Sequence, residues 1–364
     1  MTPIRILHIL SALNRGGIET MLMNYYSNID REKVQFDFLV HRNGRFEYSE
    51  MIEKLGGKIF HVPPYNPYSL KYRRLLTTFF NEHPEYQIVH CHLNCLSGLP
   101  LKEAKTAGVK TRIAHSHIII NGWSPKEIYK RIARHTIRFY ATDFFACSKE
   151  AGRWMFGNCE TIIMPNAIDV QKFKYNEEIR NKMRKTITNK NEIIIGHVGR
   201  LTKQKNQSYL IHICELLRGK GIDYKMVFIG TGEDKDSLIQ LVKKKHLEDS
   251  IIFKGSQDNV NEWMQAFDVF TFPSLFEGLG IVAIEAQTAS LPTLCSENVP
   301  AEAIISSNFI QVPLSNPGKW AEIISKIEPK SRIDTSQVAL DAGYDIKSCA
   351  FEFQEFYIRK SSQE

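Results

Sequence analysis

Glu277 and Glu285 stand eight residues apart in the run Phe272-Pro273-Ser274-Leu275-Phe276-Glu277-Gly278-Leu279-Gly280-Ile281-Val282-Ala283-Ile284-Glu285-Ala286. A strand ends at Pro273, two glycines let the backbone approach a ligand closely, and an apolar helix opens near Gly280. Its free N–H groups and positive dipole end make a seat for phosphate. Side chains eight residues apart on a helix are separated by about 12 Å, and by less across a loop. The pair therefore suits a ligand with hydroxyls at both ends and a diphosphate between them, which is the shape of a nucleotide sugar. The plainer reading makes Glu277 a helix cap and Glu285 a solvated residue, but Glu285 sits between Ile284 and Ala286 on an apolar helix.

In Gly196-His197-Val198-Gly199-Arg200-Leu201-Thr202-Lys203-Gln204-Lys205-Asn206 a strand gives way through Gly199 to a helix expected to carry three cations, with Arg200 and Lys205 straddling its start. Arg grips a diphosphate bidentately and Lys as a point charge; a solvated basic turn is the competing reading. Ala114-His115-Ser116-His117 ends a strand, and alternation puts both histidines on one face. His117 is nearer the strand end, and at least one of the two is a structural residue. His90-Cys91-His92-Leu93-Asn94-Cys95 invites a metal reading. Alternation turns Cys91 away from both histidines, however, and no second ligand pair at zinc spacing follows, so no metal site is expected. Gly230-Thr231-Gly232 follows a strand, but Lys235 stands where a dinucleotide fingerprint needs Gly.

The elements that must hold these residues follow from periodicity. Ile4–Leu10, Val34–Val40, Lys58–Val62, Gln87–Cys91, Thr111–His115, Asp143–Cys147 and Thr161–Met164 read as strands separated by helical patterns. The alternation restarts with Glu192–Val198, Tyr224–Ile229, Ile251–Phe253, Val269–Phe272 and Pro292–Leu294. Two such series predict two doubly wound α/β domains with parallel sheets. The turn-prone Met164-Pro165-Asn166-Ala167-Ile168-Asp169, followed by the charged helical stretch Glu177–Lys190, places a hinge. The expected division is 1–168, 169–345 and a closing helix over 346–364 that packs back on the first domain.

A chain of 364 residues, 43% hydrophobic and 24% charged, has the composition of an ordinary globular protein. No run of about 18 apolar residues suggests a membrane span, and Arg5 and His8 interrupt the first apolar run, so it reads as a strand and not a signal peptide. Seven cysteines, an odd number without a secretory signal, are expected as reduced thiols in a cytoplasmic protein. The net charge of +7 is one-sided: residues 1–170 hold 22 Lys and Arg against 15 Asp and Glu, and the remainder 25 against 25. Lys126, Lys130, Arg134 and Arg138 form a stripe at helical spacing, with Ile128, Ile132, Ile137 and Phe139 largely off it. Lys71 to Phe80 adds Arg73, Arg74, Phe79 and Phe80. Such a half suits an anionic membrane face, with the protein peripheral on it, better than nucleic acid.

The Glu-x7-Glu pattern after Pro273-Ser274, the Gly199-Arg200-Leu201 turn with Lys205, the Gly16-Gly17-Ile18-Glu19 loop after the first strand and the Pro165-Asn166-x-x-Asp169 hinge together resemble family 4 glycosyltransferases over nearly the whole chain. The resemblance implies a GT-B fold, two Rossmann-like domains with a cleft between them, and retaining transfer from a nucleotide diphosphate sugar, here expected to be UDP-linked. It implies no cofactor or metal, an acceptor that is a saccharide or lipid-linked saccharide, and a role in surface polysaccharide synthesis. By the same resemblance Glu277 touches the donor sugar and Glu285 the ribose. Gly278, Leu279 and Gly280 support sugar and phosphates, Arg200 and Lys205 neutralise the leaving diphosphate, and Gly16 and Gly17 face the phosphates from the acceptor domain. A histidine near the donor sugar falls on His117, with His115 as the fallback. Asn166-Ala167 departs from the family's usual Asn-Gly, and since Ala tolerates positive φ poorly, the turn is expected to differ. A nucleotide-sugar epimerase on the same fold and a silent sugar-nucleotide-binding subunit are the rival readings. The sugar is expected to be chosen by loops such as Asn66 to Leu70 and Ile118 to Ser124.

Overall fold

The computed structural model describes residues 2–14, 16–118 and 124–362, so residues 119–123 of the second specificity loop lie outside the described residues. The chain packs as two units, residues 1–168 with 345–364, and residues 169–344.

The first unit holds a seven-stranded parallel sheet: β1 Ile4–Leu10, β2 Val34–Val40, β3 Ile59–His61, β4 Ile88–Cys91, β5 Thr111–Ser116, β6 Asp143–Ala146 and β7 Ile162–Ile163, in the order β3-β2-β1-β4-β5-β6-β7. The second holds β8 Ile193–Val198, β9 Tyr224–Ile229, β10 Ile251–Phe253, β11 Val269–Phe272, β12 Thr293–Cys295 and β13 Phe309–Gln311, in the order β10-β9-β8-β11-β12-β13. β13 escaped the sequence reading: three residues at a sheet edge, between Asn308 and Pro313, give too short a pattern to register. Strands are buried on both faces, as β2 is along its whole length; its two polar residues are paired there, Asp37 with Arg5 and Tyr86, and Gln35 with Tyr26.

The helix Ile346–Ser362 closes the first unit. Ile346, Ala350, Phe353, Phe356 and Tyr357 join the same core as Ile6, Phe36 and Phe145. Phe353 meets Tyr25 edge-on at 5.4 Å and Phe356 meets Phe145 at 5.0 Å, geometries that aromatic quadrupoles favour. Ile168 pairs with Asp345 in a parallel bridge, so Asp345 belongs to the first unit, one residue earlier than the sequence boundary. Ala167 is buried with an ordinary φ. Its carbonyl accepts from Asn24 Nδ2 at 3.3 Å, and Tyr25 donates to the carbonyl of Pro165 at 2.9 Å. Alanine thus fits by packing inward. The charged helix after the hinge runs Glu177–Lys185, shorter than expected.

No disulfide forms among the described residues, and none of their helices is long and apolar enough to cross a membrane. The basic stripe differs from the expected open row of cations. Arg134 lies over the Trp154 ring at 4.6 Å and Arg73 pairs with Glu103 at 3.0 Å. The helix Pro125–Ala133 buries none of its residues, and of the four apolar residues only Ile137 is buried. Ile128, Ile132 and Phe139 are exposed at 42%, 66% and 58%.

Candidate active site

Strand order reverses once in each sheet, between β1 and β4 and between β8 and β11. Loops leaving such a pair diverge in opposite directions and open a crevice at the carboxyl ends of the strands, where ligands of doubly wound folds bind. Nearly all the residues singled out by type and spacing fall on these loops: Gly16 and Gly17 after β1, Arg200 and Lys205 after β8, Glu277 to Gly280 after β11. His117 follows β5, the neighbour of β4.

In the second unit the loops after β8 and β11 are zipped together. Leu275 N donates to the carbonyl of Gln204 at 2.8 Å, Gln204 Nε2 to that of Phe276 at 2.9 Å, and Asn206 Nδ2 to that of Pro273 at 3.2 Å. This register sets Lys205 Nζ 2.7 Å from Glu277 Oε1 and 4.6 Å above the Phe272 ring, with both partners largely buried. The expected helix start is corrected. The α-helix begins at Gln207, after a single 3₁₀ turn over Lys203–Lys205 and a left-handed Asn206 at φ 56°, so all three cations precede it; Asn accepts that conformation more readily than most residues. Arg200 is held apart from Lys205, mostly exposed in a 3.3 Å pair with Glu233.

Gly280 caps the helix Ile281–Thr288 at φ 80°, where a Cβ would approach Phe272 at 3.1 Å. Only glycine meets both conditions without strain. Leu279 is buried and Gly278 exposed. Glu285 lies within the helix, and burial pushes its carboxyl up to about 8, because a low-dielectric setting disfavours the charged form.

Two features of this site escaped sequence reasoning. The Gly230-Thr231-Gly232 loop braces the Gly199–Leu201 turn: Leu201 N donates to the carbonyl of Thr231 at 2.9 Å, and a Cβ at Gly230 or Gly232 would overlap the carbonyl of Gly199 or Leu201. Buried His197 donates from Nδ1 to the carbonyl of Thr271 at 2.9 Å and receives Gln207 Nε2 on its other nitrogen at 3.1 Å. Gln207 Nε2 also donates to the carbonyl of Arg200 at 2.9 Å. Burial holds His197 down to about 4, so this neutral tautomer persists at physiological pH.

In the first unit Gly16 caps the helix Gly17–Asn28, and the carboxyl of Glu19, raised by burial, folds back over it. His115 and His117 stack at 3.9 Å on one face, and the backbone N of His117 donates to Asn94 Oδ1 at 2.7 Å. His117 is nearer the strand end, and burial lowers it to about 3. Behind them stand His8, His90 and His92, which strand pairing brings alongside: His8 lies opposite His90 in the β1–β4 register. His8 Nδ1 bonds His92 Nε2 at 3.0 Å and His92 Nδ1 bonds His117 Nε2 at 3.0 Å; His90 links Tyr357 at 2.8 Å to His115 at 3.1 Å. Cys91 points into the opposite core layer.

Residues 178–336 match the family model for glycosyl transferases group 1. Over 343 residues the chain is 35% identical to EpsF of Bacillus subtilis (strain 168), a glycosyltransferase by description, covering 90% of this chain and 88% of that one. It is 25% identical to the capsular polysaccharide biosynthesis glycosyltransferase CapH of Staphylococcus aureus, over 98% and 99% of the two. The structure of Anabaena HepE in complex with UDP and glucose superposes with a TM-score of 0.78 at 19% identity, over 97% of this chain and 99% of that one. Two Rossmann-like sheets with their motifs at the strand reversals, and likeness along nearly the full length of EpsF, place the chain in the group 1 glycosyltransferase family, with a GT-B fold.

Proposed function

We propose that this glycosyltransferase is a retaining, metal-independent enzyme that moves a sugar from a UDP-linked donor onto a saccharide or lipid-linked saccharide in building a surface polysaccharide. The observation that carries the reading is the buried Lys205–Glu277 pair at the end of β11, beside the start of the helix Ile281–Thr288. A carboxylate fixed by an ammonium accepts from sugar hydroxyls, while the ammonium keeps further N–H donors for phosphate. Gly278, Leu279 and Gly280 add backbone groups, Arg200 a second cation and Glu285 a contact for the ribose. As the sugar–phosphate bond breaks, charge grows on the diphosphate, and cations already in position stabilise it without reorganisation. That is the part a divalent metal plays in other transferases. Gly16, Gly17 and His117 serve from the first unit, His117 as a neutral imidazole against the donor sugar. The acceptor hydroxyl attacks on the face the diphosphate leaves, and the departing phosphate oxygen takes its proton. The uridine of the HepE complex supports the choice of base.

A melting-temperature screen against nucleoside diphosphates tests this first, since a ligand of the folded state raises the melting temperature. UDP is expected to give the largest rise; no response to any of them overturns the reading. UDP-sugars without acceptor separate the epimerase: a new epimer in that mixture supports the rival.

The first unit is further proposed to rest on an anionic bilayer to reach a lipid-linked acceptor. Tyr68, Leu70, Ile128, Ile132 and Phe139 are exposed, as are the cations Lys126 and Arg138, and exposed apolar side chains with cations near them in sequence suit such a surface. Each cation near such a surface contributes about 1 kcal/mol, screened by salt. Flotation with anionic vesicles at low salt is expected, with release at high salt and little binding to neutral lipid. Equal binding to both lipids defeats the proposal.

A further inference from the structure

Five of the buried histidines of the first unit fall into two groups of three that share His92, an inner His8/His90/His92 and an outer His92/His115/His117, in each of which one ring nitrogen per residue lies within 4.8 Å of the others. Nucleotide-sugar chemistry of the kind proposed above uses at most one of them. His92, common to both groups, lines a cavity of about 190 Å³ shared with Glu19, Asn94, Ile118 and Lys130, and of the remaining four His117, in the outer group, is the most exposed, at 8%. His115 Nε2 is fully buried and has no hydrogen-bond partner among the described residues.

The geometry points to His92, His115 and His117 as a binding site for a borderline divalent transition ion of the Zn²⁺ class. Three imidazoles are a complete protein ligand set for such an ion, which keeps its fourth position for water, and the cavity beside His92 offers a way in. His92 Nδ1 and His117 Nε2 are 3.0 Å apart and share one proton; two nitrogens on a tetrahedral ion with bonds of about 2.0–2.1 Å lie about 3.3 Å apart. The rings need separate only slightly, and the ion takes the place of the shared proton. That proton moves to the other nitrogen of the ring that carries it, to His117 Nδ1, or to His92 Nε2 with His8 shifting its own proton from Nδ1 to its unpartnered Nε2, so all three ligands stay neutral and no co-reactant is needed. His8 then orients His92 from behind through its 3.0 Å bond, as outer partners of ligating histidines do. A deep apolar setting favours neutral over charged imidazole, which keeps the ligands unprotonated. An ion here ties up His117, so it is an inhibitor of transfer and not its cofactor; this consequence, unlike the binding itself, rests on the role given to His117 above.

The test titrates ZnCl₂ into tag-free full-length protein, stripped with EDTA and desalted, followed by calorimetry and by Co²⁺ substitution with visible absorption. One ion per chain is expected, with the intense visible band of tetrahedral Co²⁺ and no thiolate charge-transfer band. His115→Gln and His117→Gln should each weaken binding ~10-fold or more, at least the loss seen when an outer partner is removed, while Glu277→Ala in the other unit leaves it unchanged. His117→Gln, at the rim, serves if His115→Gln proves misfolded by its melting curve. No saturable binding, a thiolate band, or binding unaltered in both histidine variants overturns the proposal. Zinc that binds with this histidine dependence yet leaves turnover untouched upholds the site and refutes instead the place of His117 beside the donor sugar.

Discussion

Glu277 and Lys205 are each other's support at 2.7 Å, so truncating either leaves a largely buried charge alone, an outcome worse than loss of the pair. Size-conserving variants read the chemistry more cleanly. Glu277→Gln is expected to abolish turnover while calorimetry still detects nucleoside diphosphate, and Glu285→Ala to weaken that binding; the opposite pattern would exchange the two roles. Lys205→Met should lower kcat/KM ~10²-fold or more, the usual loss on removing one fixed donor to a developing charge. Arg200→Ala should do the same with an unmoved melting temperature, because an exposed pair such as Arg200–Glu233 contributes about 0.2–1 kcal/mol. EDTA should leave turnover intact; abolition by chelator with restoration by Mg²⁺ refutes metal independence. Glu285 also writes a pH signature. Its folded value of about 8, against an ordinary 4.5, means the folded state holds this proton more tightly than the unfolded one, so stability declines as pH rises between those values. Glu285→Gln removes the effect: its melting temperature should match the parent near pH 4.5 and exceed it at pH 8.5, and a constant gap across that range would show that burial is not what raises this carboxyl.

At the scale of elements, the site is two loops held in register by a third. The turn after β8 is zipped to the loop after β11 and braced from behind by Gly230-Thr231-Gly232. The position of Lys205 therefore depends on residues that touch no ligand. Gly280→Ala forces a side chain to positive φ, which costs about 1–2 kcal/mol, and crowds Phe272. The melting temperature should fall by about 2–8 °C for a unit of this size, with weaker nucleoside diphosphate binding; an unchanged melt would mean that the helix entry is not strained by a Cβ. Gln207→Leu keeps the helix but removes both bonds that tie His197 to the Arg200 carbonyl. It should reduce kcat/KM in a single-turnover assay while UDP-sugar saturation changes little.

Across the whole molecule, histidine burial governs acid tolerance. His8 and His117 fall to about 3, and His90, His92 and His115 lie well below their ordinary 6.5, all chiefly because burial disfavours the charged ring. The unfolded chain takes up these protons below about 6.5 and the folded one does not. The stabilisation is complete above that pH and is lost progressively as pH falls toward 3. A steep drop in melting temperature from pH 6.5 to 4.5 is expected, together with imidazole NMR signals that stay neutral until unfolding. Five rings titrating near 6.5 in the folded protein would refute it. The closing helix is tied to the same cluster by the Tyr357–His90 bond at 2.8 Å, so acid should loosen the helix Ile346–Ser362 and its sheet together.

What the residues determined alone is what repeats along the chain or sits within one loop. Strand-and-helix alternation disclosed both sheets apart from β13, because hydrophobic periodicity survives in a linear read and three edge residues do not. The Glu277–Gly280–Glu285 run was legible as a loop entering a helix because glycine and helix-start chemistry are local. Tertiary structure decided what depends on which strands become neighbours. Lys205 meets Glu277 across 72 residues only because β8 adjoins β11. The alternation that rightly turned Cys91 away from His90 and His92 could not reveal that β1 and β5 would deliver His8, His115 and His117 to the same face. Each histidine is one polar residue on one strand in the sequence. Their convergence is a property of sheet order, which no local pattern encodes.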